Sequence, residues 1–301
     1  MSAEAKSHLF GLIGNPVSQS LSPFIMNRAF DTLGLDAIYV AFGIKPERLA
    51  PSVAGLTAMG VSGLNVTYPY KEEILYHIDA VSAEVEVINA VNTVVFYDEE
   101  IQGYNTDAAG TAIALENFAG ISLEGAGVFI YGMGGSARAA AYGLLERGAE
   151  RVVFATRSPE KGPMVVERFQ FAFPEQSVAV VSMGDALGQP YRRESFREAR
   201  IVINATPVGM AEVPGGPLLE DESWIHSEQV FFDFIYNPRQ TLFLETARHA
   251  GARTLGGLGL LVSQAAESLR IWTDHGFDVK EMAEAVEEFS KTERSPGRRV
   301  N

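Results

Sequence analysis

The chain has no cysteine among its 301 residues, which excludes disulfides and thiolate-ligated metal sites and fits a reducing compartment. It is also short of positive charge: 24 lysines and arginines against 38 aspartates and glutamates leave a net charge of −14. A surface of that sign repels nucleic acid and anionic membranes, so neither is expected as a partner, and an anionic small ligand would have to be met by locally placed donors. No apolar run reaches the length that spans a bilayer. Residues 1–7 include Glu4 and Lys6 and no apolar core, so they do not make a signal peptide. Internal repeats and low-complexity segments are lacking too. The expectation is a cytoplasmic protein with a small-molecule partner and no metal, for which a homodimer is left open.

What is present is ordinary globular composition, 47% hydrophobic and 21% charged, in a chain long enough for two domains. From 9 to 104, short apolar runs alternate with helical stretches. Strands are predicted at 9–13, 37–42 and 61–66, helices at 23–33, 46–58 and 69–77, and a hairpin at 91–97 and 101–104 with Asp98-Glu99-Glu100 as its turn. A helix at about 107–118 leads to a second alternating series, with strands at 128–131, 151–155, 178–182, 201–204 and 230–234, which reads as a doubly wound parallel sheet. Two last helices, at about 260–273 and 279–289, are expected to pack back on the first domain because the second sheet already has a full complement of strands. The end, 294–301, is rich in Pro, Gly and Arg and is expected to fray. The fold class is thus α/β: an N-terminal α/β substrate domain (1–106), a doubly wound Rossmann-type nucleotide domain (107–256), and C-terminal helices (257–301) returning to the first.

The sharpest local pattern is Asn65-Val66-Thr67-Tyr68-Pro69-Tyr70-Lys71. Pro69 suits a first helical position, which would put Lys71 in a first turn. A cation there faces the positive end of the helix dipole, disfavoured by a few tenths to about 1 kcal/mol, whereas Glu72 and Glu73 have the favoured sign. Either Lys71 is a solvated surface residue, or its ammonium is aimed at a substrate oxygen.

Gly132-Met133-Gly134-Gly135-Ser136-Ala137 stands between a predicted strand and an alanine-rich helix and fits G-x-G-x-x-G/A with alanine last. Glycines there permit a tight turn and close approach of a pyrophosphate to the N–H groups at the helix start; a turn that binds nothing is the alternative. The tip of the next strand reads Thr156-Arg157-Ser158-Pro159-Glu160-Lys161. No acid occupies the tip to bind a ribose 2′-hydroxyl, while Arg157, Lys161 and the hydroxyls of Thr156 and Ser158 suit a 2′-phosphate, so NADP is favoured over NAD. Glu160 is the one dissenting charge, and Arg157 could also be a solvated loop residue.

With these motifs in hand the chain resembles the shikimate dehydrogenases over nearly its whole length. The resemblance is carried by Gly14-Asn15-Pro16-Val17-Ser18-Gln19-Ser20-Leu21-Ser22-Pro23, by Asn65 to Lys71, by Asn89-Ala90-Val91-Asn92-Thr93 and by Asn105-Thr106-Asp107. It continues through Asn204-Ala205-Thr206-Pro207-Val208-Gly209-Met210, Tyr236-Asn237-Pro238, and Gly256-Gly257 leading to Gln264. The family's NADP loop commonly reads Asn-Arg-Thr-x-x-Arg. Only the central arginine survives here, as Arg157, which leaves the ratio of NADP to NAD affinity open.

The resemblance implies NADPH-dependent reduction of 3-dehydroshikimate to shikimate, a step towards aromatic amino acids, at a site between the two domains that closes on its ligands. Lys71 and Asp107 are the acid–base pair the motifs supply, facing the reacting oxygen, with Lys71 either the proton carrier or an orienting charge. Asp107 before Ala108-Ala109 also suits a helix N-cap. Ser20 and Ser22 are implied to hold the substrate carboxylate; two apart, they share a side if the backbone is extended, although Ser22 before Pro23 equally suits an N-cap. Asn65, Thr67, Asn92 and Gln264 complete the implied substrate set, with Gln264 on a helix stripe alongside Leu261, Ala265, Ser268 and Trp272. Tyr236 on the substrate side, and Thr206, Met210 and Gly257 on the cofactor side, fall near the ends of the nucleotide-domain strands. Three rivals stand beside this reading: a quinate/shikimate enzyme using NAD or NADP, a non-catalytic ligand sensor on the same fold, and a methylene-tetrahydrofolate-dehydrogenase-like protein, which leaves Ser20 to Pro23 unexplained.

Overall fold

The computed structural model describes residues 8–97, 100–184, 189–210, 213, 218–219 and 221–293. Residues 1–7, Asp98 and Glu99 of the expected hairpin turn, and the expected frayed end at 294–301 lie outside the described residues. The chain divides into two compact units.

The first unit takes the residues up to Val85, Asn89–Thr106 and those from Val262 on. It opens with β1 (His8–Gly14), α1 (Ser22–Leu33), β2 (Ala37–Gly43), α2 (Leu49–Ala58) and β3 (Gly63–Val66). Phe10, Leu12 and Ile13 are all buried, the near-continuous apolar run of a strand covered on both faces. β1 pairs in parallel with β2 and β3, and Ile13 is level with both Phe42 and Val66. The chain therefore leaves β1 and β3 at one end of the sheet, where the Asn15 N–H donates to the Tyr68 carbonyl at 3.0 Å and the Thr67 N–H to the Ile13 carbonyl at 2.9 Å. β4 (Ala80–Val81), α3 (Ala83–Ile88), β5 (Thr93–Phe96) and β6 (Ile101–Tyr104) complete a sheet of order β2-β1-β3-β5-β6-β4, antiparallel through β3, β5 and β6. β4 and α3 are additions to the sequence reading, too short to establish a period.

The helix expected at 69–77 does not form. Residues 68–72 are turns and only Glu73–His77 make a short 3₁₀ segment. The Lys71 carbonyl accepts the Val91 N–H at 2.8 Å, which takes it out of any helical ladder, and the Tyr70 ring is fully buried with its hydroxyl on the Ile44 carbonyl. Lys71 consequently faces no helix dipole, and its charge needs no special reason on that ground.

The second unit takes Glu86–Ile88 and Asp107–Leu261. After α4 (Thr106–Ala114) come β7 (Gly127–Tyr131), α5 (Gly135–Glu146), β8 (Arg151–Thr156), α6 (Gly162–Ala172), β9 (Ser177–Ser182), α7 (Gln189–Glu198), β10 (Ile201–Asn204), β11 (Val230–Asp233), α8 (Leu242–His249) and β12 (Arg253–Leu255). The strands pair in parallel in the order β12-β11-β10-β7-β8-β9. This is the doubly wound order of a Rossmann sheet, with its direction reversing between β7 and β10. β12, three residues long, is a sixth strand beyond the five predicted. One face of the sheet packs on the small residues of α5, including Ala137, Ala140 and Ala141; the other carries Phe129, Tyr131, Phe196, Phe231 and Phe243.

α9 (Leu258–Thr273) and α10 (Val279–Glu293) follow, and from Val262 onward they belong to the first unit. The Trp272 ring stacks on Phe10 at 4.8 Å while its Nε1 donates to the Val94 carbonyl at 3.1 Å, and Phe24 stacks on Phe289 at 4.0 Å. Among the described residues, no helix is long and apolar enough to cross a membrane.

Candidate active site

In the first unit, the motif residues gather at the ends of β1 and β3. Half-buried Thr67 follows β3 directly, and its methyl lies where a side chain on Gly14 would have to go. Ser20 is half-buried and Ser22 buried. Two expectations about them fail. Leu21, with φ −84° and ψ −7°, is helical rather than extended, so strand alternation does not apply, and Leu21 rather than Ser22 is the N-cap of α1. The two serines are instead linked because the Ser22 N–H donates to Ser20 Oγ at 3.2 Å.

Asn65, Asn92 and Gln264 are joined by a buried polar network. Asn65 Oδ1 accepts from Tyr39 Oη at 2.8 Å, and its Nδ2 donates to the Asn92 carbonyl at 3.2 Å, Thr93 Oγ1 at 3.1 Å and Ser268 Oγ at 2.9 Å. Ser268 Oγ also donates to the Gln264 carbonyl at 3.0 Å, and Gln264 is half-buried on α9. Asn92 Oδ1 accepts the Thr106 N–H at 2.7 Å, and one peptide bond further stands Asp107. Asp107 is not an N-cap: α4 begins at Thr106, so its buried carboxylate lies within the first turn, where the dipole favours its sign. Lys71 is half-buried, with its carbonyl bonded next door to Asn92.

In the second unit, Gly132-Met133-Gly134 forms the turn from β7 into α5. Gly132 has φ +104°, a conformation that suits glycine, and its N–H donates to the Ala155 carbonyl at 2.9 Å. Gly134 is the exposed N-cap of α5 and offers no side-chain cap to Gly135, Ser136 and Ala137 of the first turn. A helix start of this kind suits a phosphate, so the turn fits the dinucleotide that its sequence implies. Thr156 is buried and its Oγ1 accepts the Ser158 N–H at 3.1 Å, while Arg157 and Lys161 are exposed at the same strand tip, free of the sheet's core. Thr206 is half-buried after β10, Met210 is 44% exposed in the same loop, and Tyr236 is half-buried after β11. Gly257 is buried against the Phe234 carbonyl, where a Cβ would stand 2.2 Å away; its place here is one of close packing. No group of three or more His, Asp or Glu is arranged to hold a metal ion among the described residues.

Three features escaped the sequence reading. The hydroxyls of Tyr39, Thr93 and Ser268 complete the network around Asn65, and being neutral and far apart in the chain they give no local signal. Arg138 is buried, donating from Nε to the Ile88 carbonyl at 2.6 Å and from Nη1 to the Met133 carbonyl at 2.8 Å; a charge inside an alanine-rich helix was the available clue. Asp233 is fully buried at the end of β11, another charge closing an apolar strand.

Burial pushes the Asp233 carboxyl up from 3.8 to about 6, against three neutral hydrogen-bond donors that pull it down. A carboxyl raised in the folded state stabilises the fold below the ordinary carboxylate range, and that advantage is lost as pH rises through about 6. Wild-type stability should therefore fall relative to Asp233→Asn between about pH 4 and about pH 7, by on the order of 2–3 kcal/mol. Melting midpoints of both proteins across that window check this, and a constant difference between them would contradict it.

The geometry describes a two-unit α/β protein with a nucleotide-type turn in one unit and a dense polar site in the other. Residues 12–94 match the profile of the shikimate dehydrogenase substrate binding domain and residues 257–287 that of the shikimate 5′-dehydrogenase C-terminal domain. The chain is 40% identical over 287 residues to a shikimate dehydrogenase (NADP(+)) of Methanothermobacter thermautotrophicus, covering 92% of this chain and 96% of that one. A shikimate 5-dehydrogenase from Listeria monocytogenes, solved with shikimate and NAD, superposes with a TM-score of 0.85 at 32% identity, covering 95% and 98% of the two chains. The Thermus thermophilus enzyme with NADP(H) and shikimate gives 0.80 at 33% identity, covering 93% and 99%. The chain belongs to the shikimate dehydrogenase family.

Proposed function

We propose that this protein interconverts 3-dehydroshikimate and shikimate with NADP as the hydride partner. The observation that carries the reading is a short relay: the Lys71 carbonyl holds the Val91 N–H, and the adjacent Asn92 holds the Thr106 N–H, with Asp107 the next residue. Two motifs far apart in sequence are thereby tied to adjacent residues, Val91 and the buried Asn92. When bound, the nicotinamide supplies or takes the hydride. Lys71 gives a proton to the oxygen of the ring carbonyl as it becomes an alkoxide, and takes it back in the reverse direction. Asp107 is the second member of the acid–base pair. Ser20 and Ser22 hold the substrate carboxylate, and Thr67, Asn92 and Gln264 the ring hydroxyls; Asn65, whose amide bonds run to Tyr39, Asn92, Thr93 and Ser268, acts by holding Asn92. Gly132 to Ala137 receive the pyrophosphate, Tyr236 meets the substrate, and Thr206, Met210 and Gly257 shape the nicotinamide end.

Initial rates with shikimate and quinate, each against NADP and NAD, test the reading. Preference for shikimate with NADP is expected; nucleotide and shikimate binding without any change in nicotinamide absorbance would favour the sensor instead. Exposed Arg157 and Lys161 are supplied for the 2′-phosphate, so Arg157→Ala should weaken NADP by roughly tenfold or more and NAD hardly at all. Titration of each nucleotide checks this, and equal weakening of both would remove the argument for NADP.

A further inference from the structure

We propose that Asp233 is a positioning residue for the nicotinamide half of the cofactor, acting through both loops that follow β10 and β11. The proposal rests on the nucleotide-dependent reading above. Asn204 and Asp233 are register partners at the ends of those neighbouring strands, and both are fully buried. Asp233 Oδ1 accepts Asn204 Nδ2 and the Ile235 N–H, each at 3.0 Å, and Oδ2 accepts the Thr241 hydroxyl at 2.6 Å.

An ionised carboxylate can only accept, and this directs its neighbours. Asn204 must turn its amide nitrogen towards Asp233, which leaves its oxygen for Thr206: Oδ1 accepts the Thr206 N–H at 3.0 Å and Oγ1 at 2.7 Å, while Nδ2 also reaches the Val208 carbonyl at 3.0 Å. The loop that leads to Met210 thus takes its shape from the orientation of one amide. On the other side, the Ile235 N–H fixes the start of the loop bearing Tyr236. Thr241 fixes its end, and its hydroxyl in turn accepts the Leu244 N–H at 3.3 Å as the cap of α8. Burying a carboxylate is expensive, and an apolar side chain of like volume would hold the core at lower cost. What the carboxylate adds is direction in two loops at the crevice end of the sheet, where a doubly wound fold places its ligand.

Asp233→Asn keeps the shape but turns one acceptor into a donor, so Asn204 and Thr241 can no longer both be satisfied as they are. The measurement is binding of NADP(+) and of 2′,5′-ADP, which carries only the adenosine end, together with kcat. The adenosine end would meet the turn after β7 and the tip of β8, whereas the bonds of Asp233 run to Asn204, Ile235 and Thr241. Expected is a fall in kcat of roughly tenfold or more, weaker NADP(+), and 2′,5′-ADP affinity within about twofold of wild type. Thr241→Val should give the same split more mildly and Thr241→Ser should restore it. Unchanged kcat and NADP(+) affinity in a folded Asp233→Asn would overturn the proposal. So would an equal loss of both ligands with a lowered melting midpoint, the mark of a residue that merely holds the fold. Absence of turnover in the wild type would strike the oxidoreductase reading instead, and the ratio of the two binding constants would still decide the role of Asp233.

Discussion

Lys71→Ala should lower turnover by about a hundredfold or more, equivalent to about 2.7 kcal/mol of transition-state stabilisation, with substrate KM changed much less. Lys71 lies in a turn and contributes its backbone carbonyl to Val91, a bond that alanine makes equally well. The melting midpoint, measured alongside, separates lost activity from lost fold. The sequence leaves Lys71 two roles, proton carrier or orienting charge. Turnover within a few-fold of wild type would refute both roles.

Gly143→Ala should be among the most damaging single-methyl additions to the chain. Glycine to alanine inside a helix ordinarily stabilises by up to about 1 kcal/mol. Here the added Cβ would stand 1.9 Å from the Ala108 carbonyl oxygen and 2.5 Å from its carbon, and both are backbone that cannot swing aside. Overpacking of this kind costs about 1–3 kcal/mol and occasionally more, so the net effect is expected near 2 kcal/mol or above, a drop in midpoint of roughly 4–8 °C. Gly55 in α2 provides the control, because a Cβ there meets nothing within 4 Å; Gly55→Ala should be neutral or raise the midpoint. Relief of the Gly143 clash also has to move the first turn of α4, which begins with Thr106 and Asp107, so kcat should fall along with stability. A Gly143→Ala protein that melts with the wild type would show that the two helices separate without cost.

The parts legible in the sequence are those whose physics is local. Parallel strands covered on both faces must be apolar almost throughout, and 128–131, 201–204 and 230–234 announce themselves in that way. The glycine turn after β7 is legible because a positive φ at Gly132 and an uncapped helix start need those residue types. Where pattern and structure part, a long-range bond decides. Pro69 followed by two glutamates reads as a helix start, yet Val91 claims the Lys71 carbonyl from twenty residues away in sequence. Ser22 before Pro23 reads as a cap, and the helix begins one residue early because Leu21 takes that place. Asp107 is displaced in the same fashion, since α4 begins one residue earlier at Thr106, whose N–H is accepted by the distant Asn92 side chain. The motif residues of the candidate site could be named from the sequence, whereas the side chains that brace them, Ser268, Arg138 and Asp233, come together only through the fold.

The bonds from Arg138 give the glycine turn a property of its own. With the Met133 carbonyl gripped by a guanidinium rooted in the very helix that the turn opens, the curvature that would receive an anion is set before any anion arrives. A loop shaped in advance loses little conformational entropy on association. Nucleotide capture by this unit is accordingly an event of docking onto a finished surface, and the ordering that a flexible glycine loop would otherwise demand has already been completed during folding.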